Sequence, residues 1–490
     1  MFTYSSNFVN TRARGQICAI IDLIGGVDMA EFDPIKNVKD GGAFDLIVAG
    51  GGISGVCCAI AAARQGLRCL LIEREGCLGG TACAAGVMQL LGGRWYDPEN
   101  DRMVRVVGGL FDEITDELIA EGFAVDPDGV DVHHYNPYGW YPRMAAGISC
   151  DVDRLKYRLE RKCLNAGVAL RCYTAVTEAE TENGRVTRIL AHDKGGFTAF
   201  TAPLYADCTG DADLAFLAGC PTEKGRAEDG AVTPSTTIFY VDGVDTAAYV
   251  AYQNEHQSPK LVEIIEELRA RGEWPFPFDI FIAIETPHPG RMMVNTVRQV
   301  GVDGTDSASL TRAGIEGRET VYRLFDVMKA HFPGFAKAHV SRIFDRVGIR
   351  ESRRIAARQP LTLQSALEGR HYGDCVATTT YNFDLPDPKR PSYDPMMGDT
   401  RRPNAVRKHV KIEIPYGTLL PRGVDNLIVA GRCLGAEREV MGAARVMGPC
   451  AGMGQAAGNA AALALESGRF TAVDTNELRR KLIEQGCIGL

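Results

Sequence analysis

The chain has 490 residues, 45% hydrophobic and 24% charged, so it can bury a large core and should divide into two or three domains of about 150 residues. A net charge of −8, with no basic cluster interleaved with aromatics, argues against nucleic acid as a partner. Fifteen scattered cysteines, two of them adjacent at Cys57 and Cys58, suit a reducing cytoplasm better than a disulfide framework.

Residues 1–43 read as an N-terminal extension. The apolar run Gln16 to Gly25 is interrupted by Asp22 and lacks a small-residue cleavage site, so it is not read as a signal peptide. Met29 is an alternative start, because MAEFDPIKNVKDGGAFDLIVAGGG is an ordinary lead-in to a first strand.

Phe44 to Ala49 has the β-branched, apolar character of a buried parallel strand, and Gly50, Gly52 and Gly55 follow it as G-x-G-x-x-G. One glycine permits the tight turn, one lets backbone N–H groups approach a pyrophosphate, and one lets helix and strand pack closely. Ile53 and Ser54 open a small, apolar helix ending at Gly66, with its N-terminus aimed at phosphate. Arg68 to Glu73 is the next strand, and Glu73 stands about 20 residues after Gly50, where an acid hydrogen-bonds a ribose hydroxyl. Arg74 follows it. Leu78-Gly79-Gly80-Thr81 then offers a second flexible turn.

Asp151 to Asn165 is expected as a helix, with Leu155 and Leu159 on one face and Gly167 as its stop, and Val168 to Tyr173 as a strand. Ala175 to Ala202 alternates around Asn183-Gly184 and Gly195-Gly196, which reads as an antiparallel meander. It leads to a strand ending in Thr209-Gly210-Asp211. Near the far end, Asn426 to Ala430 is a further strand closed by Gly431 and Arg432. The Gly/Ala-rich helix from Gly448 follows, with Gln455 and Asn459 inside it, which suits a packed internal helix and not a membrane span. Strand-to-glycine termini this far apart can converge on one extended cofactor, as FAD requires and a nicotinamide does not.

The segments GGGISG, LGGTA, ADCTGDADLAFLAG, KGRAEDGAVTPSTTIFYVDGVD, NTVRQVGVDGTD, GIRESRRI, IPYGTLLPRGVDNLIVAGR and GAARVMGPCAGMGQAAG resemble the FAD-dependent oxidoreductases of the two-dinucleotide-binding-domain type. Within these the chain is similar to the group of the flavin-binding A subunit of heterodisulfide reductase. The resemblance spans about Phe44 to Gly468. It implies that Gly50, Gly52, Gly55 and Glu73 hold the adenosine and pyrophosphate of FAD. Gly79, Gly80, Thr81, Thr209, Gly210 and Asp211 would line the cofactor further along, and Gly431, Arg432 and Gly448 would lie beside the isoalloxazine. A helix N-terminus there would stabilise the negative charge of reduced flavin. A 4Fe-4S cluster is implied by relatives, but no C-x-x-C occurs in this chain and the cysteine spacing does not support it. No metal site is expected. Cys83 after the Gly-Gly-Thr turn has no dithiol partner, and no second G-x-G-x-x-G marks a nicotinamide domain.

The expected fold is α/β. A Rossmann-like FAD domain, a parallel sheet with an antiparallel meander, occupies 44–83, 150–219 and 417–490, with an inserted α+β substrate domain at 84–149 and 220–416. In the latter, His133 and His134 are candidate general bases, the bland alternative being a solvated loop. Arg350 and Arg353, in Arg350-Glu-Ser-Arg-Arg354, are candidate clamps for a carboxylate or phosphate, against the alternative of a salt-bridged strand. Arg298 and Arg445 are similar candidates. The expected function is hydride transfer between flavin N5 and a small polar or anionic molecule. An external electron carrier and a homo-oligomer are compatible with this. A flavin electron-transfer subunit serving a partner redox protein, or a non-catalytic flavin-binding protein, are the alternatives.

Overall fold

The computed structural model describes residues 37–139, 147–390, 392–396, 398–399, 401 and 410–490. The alternative start at Met29 lies outside them.

The framework is a five-stranded parallel sheet. Strand β1 (Leu46–Ala49) leads through the glycine turn to helix α1 (Ile53–Arg64) and back to β2 (Cys69–Ile72). Helix α2 (Val152–Asn165) is capped by the Asp151 carboxylate, which accepts from Arg154 N, and feeds β3 (Ala169–Arg171). The meander follows as β4 (Ala175–Glu182), β5 (Arg185–Asp193) and β6 (Gly196–Thr201), antiparallel in sequence order. It returns to the parallel sheet as β7 (Leu204–Asp207).

A second sheet is built later in the chain from β8 (Ser235–Asp242) and β9 (Met292–Gln299). The long helix α3 (Ser307–His331) is capped by Asp306, and β10 (His339–Ile343) completes the sheet on the far side of β8. The last parallel strand, β11 (Leu427–Val429), precedes α4 (Arg438–Ala444) and α5 (Met447–Ala464). The parallel order is β11-β7-β1-β2-β3, so the chain reverses direction across the sheet beside β1, where such sheets open a crevice at their carboxyl ends.

Every residue of β1 and β2 is buried, as a sheet covered on both faces requires. Helix α5 lies against α1 with backbone almost touching backbone: a Cβ on Gly454 would stand 2.1 Å from Ser54 O, and one on Gly458 2.2 Å from Cys58 O. The Gly/Ala composition of α5 is therefore a packing requirement. No described helix is long and apolar enough to cross a membrane.

The second sheet has its own phenylalanine-rich core, including Phe239, Phe278, Phe281, Phe332 and Phe335. Leu110, Phe111, Ile114 and Leu118, and later Val376, Ala377, Ile412 and Ile414, belong to the core that includes α1 and α5.

Candidate functional site

The carboxyl ends of β1, β2, β7 and β11 open into a cavity whose other wall comes from the second sheet. It runs between residues around Glu73 and residues around Arg350 and Arg445. Gly50 adopts φ +98°, and a Cβ there would strike Cys208 O at 2.5 Å. Gly55 carries α1 against that turn, since its Cβ would come within 1.8 Å of Gly50 O. Gly52 differs from both. The nearest atom to a Cβ on Gly52 is Gly80 Cα at 4.0 Å, so its missing side chain opens the cavity.

Glu73 is buried at the end of β2, where its carboxylate accepts from Gly51 N at 2.6 Å and Glu75 N at 2.8 Å. The Gly79–Thr81 turn is tied to the first loop by Gly79 N donating to Gly51 O at 2.8 Å. Ile53, Ser54, Arg74, Gly79, Gly80 and Thr81 all line the cavity.

At the end of β7, buried Asp207 organises the next turn. Its carboxylate accepts from Thr209 N at 3.0 Å, Thr209 Oγ1 at 2.7 Å and Ala215 N at 2.8 Å. Burial outweighs these bonds and pushes its pKa up to about 6. Thr209 and Gly210 face the cavity. Asp211 does not line it: its carboxylate is taken by Arg432 at 2.7 Å and by Ser352 Oγ at 2.5 Å. Burial works against ionisation there, but Arg432 and the Ser352 hydroxyl hold Asp211 below the usual carboxylate range. Gly431 and Arg432 are cavity residues. Gly448 is not, because its N–H is bonded to Leu91 O at 2.8 Å and its Cα abuts Gly92, leaving Val446, Met447 and Cys450 to face inward.

The three arginines of the Arg350–Arg354 segment diverge. Arg350 enters the cavity from the second-sheet side. Its Nη1 donates to Pro234 O at 2.8 Å and to Thr236 Oγ1, and its Nη2 to Asn295 Oδ1 at 3.2 Å. Burial, reinforced by the positive charges of Arg298 and Arg445, lowers its pKa to about 9. Arg353 turns away, donating to Asp211 O at 2.8 Å and pairing with Asp213, which does line the cavity. Arg354 is held by Glu223 and Gly225 O. Arg298 is buried behind Arg350 and is not a lining residue. Arg445 lines the cavity, with Nη2 donating to Asp384 O at 2.9 Å and with Nε buried without a hydrogen-bond partner among the described residues.

The structure does not bring the histidine pair to this cavity. His134 is 72% exposed and bonded through Nδ1 to Asp131 at 2.8 Å, while His133 lies 3.5 Å from Asp101. Their loop is anchored elsewhere, by reciprocal bonds of 3.0 Å between Asn254 and the Tyr135 backbone. Residues 140–146 of the same segment lie outside the described residues.

Sequence reading missed three cavity residues with charge, Asp213, Arg346 and Asp384. Arg346 is partly buried, and desolvation followed by the positive neighbour Arg74 lowers its pKa. It stands two positions before a segment already singled out, so its charge was visible although its direction was not. Asp384 sits in irregular chain, where no periodicity marks a facing side. Among the described residues no group of three or more His, Cys, Asp or Glu is placed to hold a metal ion.

A family sequence model, described as FAD dependent oxidoreductase, matches residues 45–482. The chain belongs to this family. FAD is accordingly its cofactor, and the cradle suits it: Gly52 leaves room at the helix N-terminus, and two cations on the same wall, Arg74 and Arg346, share one carboxylate, Glu75, at 3.6 and 3.8 Å. Among solved structures, this FAD-dependent oxidoreductase is similar to a geranylgeranyl bacteriochlorophyll reductase-like protein from Thermoplasma acidophilum, at 13% identity, with 91% of this chain and 85% of that one covered and a TM-score of 0.45. It is also similar to a myxobacterial chondrochloren halogenase (12% identity, 90% and 78% covered, TM-score 0.44). A third is p-nitrophenol 4-monooxygenase from Pseudomonas putida DLL-E4 (13% identity, 91% and 84% covered, TM-score 0.41). No curated protein sequence matches the chain.

Proposed function

We propose that this FAD-dependent oxidoreductase transfers a hydride between flavin N5 and a small polar or anionic substrate, with the two ends of one cavity dividing the labour. The observation that carries this reading is the composition of that cavity. One end is glycine turns at the carboxyl ends of parallel strands, and the other is Thr236, Asn295, Arg350 and Arg445.

Glu73, with Gly50 and Gly52, would receive the adenosine and pyrophosphate, and Arg74 and Arg346 would face the phosphate charge. Thr209, Gly210, Gly431 and Arg432 would follow along the ribityl chain. The isoalloxazine would then lie near Val446, Met447 and Cys450, at the N-terminus of α5, whose partial positive charge favours the reduced flavin. FAD supplies an acceptor or donor of two electrons and one proton at N5. The chain's own groups do the rest. Ile238, Val87 and Leu91 restrict water at that end, and Arg350 and Arg445 orient the substrate. Arg298 reinforces the positive field from behind, and Arg353 acts on the cofactor side by holding Asp213.

The quoted motifs favour the group resembling the heterodisulfide reductase A subunit, without its clusters. The phenylalanine-rich cluster around 239–338 supports reading that stretch as part of a substrate domain, and 44–83, 150–219 and 417–490 as the flavin domain. The reading is tested by anaerobic rapid mixing of the FAD-loaded enzyme, oxidised and reduced, with a panel of small metabolites. A small molecule should bleach or restore the visible flavin absorbance. If only a protein carrier does so, the small-substrate reading is lost.

A further inference from the structure

We infer that the Arg350–Arg445 end of the cavity is a binding site for the carboxylate of a small monoanionic substrate, with Asp384 as the group that sets the charge it accepts. The inference rests on the FAD reading above, because it uses only the cavity end that the cofactor's adenosine and phosphates would leave free.

Arg350 is held by neutral acceptors, namely Pro234 O, Thr236 Oγ1 and Asn295 Oδ1. These fix the guanidinium plane without cancelling its charge. Arg445 is 11% exposed in its side chain, and its one hydrogen bond to a named group is to a backbone carbonyl, Asp384 O. The Asp384 carboxylate stands 3.7 Å from Arg445 Nη2, too far for a direct hydrogen bond, and its side chain is one-third exposed. Two guanidiniums therefore face the cavity beside one loosely engaged carboxylate. A buried cation without a matching anion is costly, and the lowered pKa of Arg350 is one expression of that cost. A bound carboxylate relieves it, and a planar oxyanion suits guanidinium forks that are already oriented.

Asp384 decides between oxyanions. Two lining guanidiniums and one lining carboxylate leave one net positive charge at this end, which a monocarboxylate neutralises, whereas a phosphate dianion adds a second, uncompensated negative charge beside Asp384. Asn295, on β9, lines the same space and adds a neutral amide whose oxygen accepts from Arg350. The site is thus matched to one negative charge.

The test titrates the FAD-loaded protein with sodium acetate, and separately with inorganic phosphate at matched ionic strength, following perturbation of the visible flavin spectrum. Acetate should perturb it saturably and phosphate should not. Arg350→Gln and Arg445→Gln should each weaken acetate binding by about thirtyfold, as for loss of one member of a buried charge contact. Asp384→Asn should tighten it by roughly tenfold, an opposite sign that damage to the fold does not produce. An FAD-loaded, reducible wild type that is blind to acetate overturns this inference alone. So does a preference for phosphate, or acetate binding that persists in the arginine variants while their flavin potential falls, which would assign the arginines to the flavin. A wild type unable to hold FAD overturns the parent reading as well.

Discussion

Gly52 is the residue at which the fold and the cofactor make opposite demands. Gly50 and Gly55 are required by the chain itself, since side chains there would collide with Cys208 O and Gly50 O. At Gly52 the backbone is extended (φ −66°, ψ 177°) and accepts any side chain, and only the cavity is harmed. Gly52→Val should therefore fold with little loss of stability yet lower FAD occupancy at least tenfold, a cost of about 1.4 kcal/mol or more in binding. Thermal unfolding and flavin content, measured on the same preparation, check the two halves separately. The residue scale is also where sequence reading was least complete. Glu73 was legible because a local unit, strand then turn then strand, fixes its position. The histidine pair was chosen for its chemistry alone, and the Asn254 anchor that holds its loop away from the cavity lies more than a hundred residues further on. Arg350, Arg353 and Arg354 read alike in sequence. They separate only when Asp211, Glu223 and Thr236 are brought beside them by distant strands.

Among the elements, the α1–α5 pair does most to position the site. Helix α5 reaches the cavity with Val446, Met447 and Cys450 only because Gly454 and Gly458 allow it to lie on α1, whose first turn carries Ser54 into the same cavity. A methyl group at Gly458 would meet Cys58 O at 2.2 Å, Ala61 Cβ at 2.8 Å and Ala62 N at 2.9 Å, none of which is the end of a flexible side chain. Gly458→Ala should cost about 1–3 kcal/mol of stability, seen as a lower denaturant midpoint, and should weaken FAD retention as the helices separate. Here the sequence was informative. The Gly/Ala run with Gln455 and Asn459 pointed to close internal packing, and in the structure both polar side chains are bonded to Gln485, which follows the helix Thr475–Glu484. The parallel strands and the meander were legible for the same reason, since each has a local period or turn signal. The packing of the helix Gly109–Ala120 against α5 was not, because its partner, reached by Leu110 N donating to Gln455 Oε1 at 2.8 Å, lies more than three hundred residues further on.

Across the whole molecule, the cavity is a seam between the parallel sheet and the second sheet, which are also joined by an apolar cluster in which Met88 and Val152 meet Ile238, Tyr240 and Met293. The strap Gly348 to Ser352 closes it with successive residues on different partners. Arg350 faces the cavity, buried Glu351 pairs with Arg438 Nε at 2.8 Å and Nη2 at 2.9 Å, and Ser352 bonds Asp211. The same short segment thus joins the second-sheet side to α4 and to the β7 turn, and it aims the guanidinium assigned to the substrate. The central claim is the direction of FAD along this seam, and the structure of the FAD-loaded enzyme determined by crystallography tests it most directly. The adenosine ribose should lie within hydrogen-bond distance of Glu73, with the isoalloxazine beside Met447 and Cys450 and open toward Arg350 and Arg445. An isoalloxazine found at the Glu73 end, or a cofactor that leaves this cavity empty, would contradict the account.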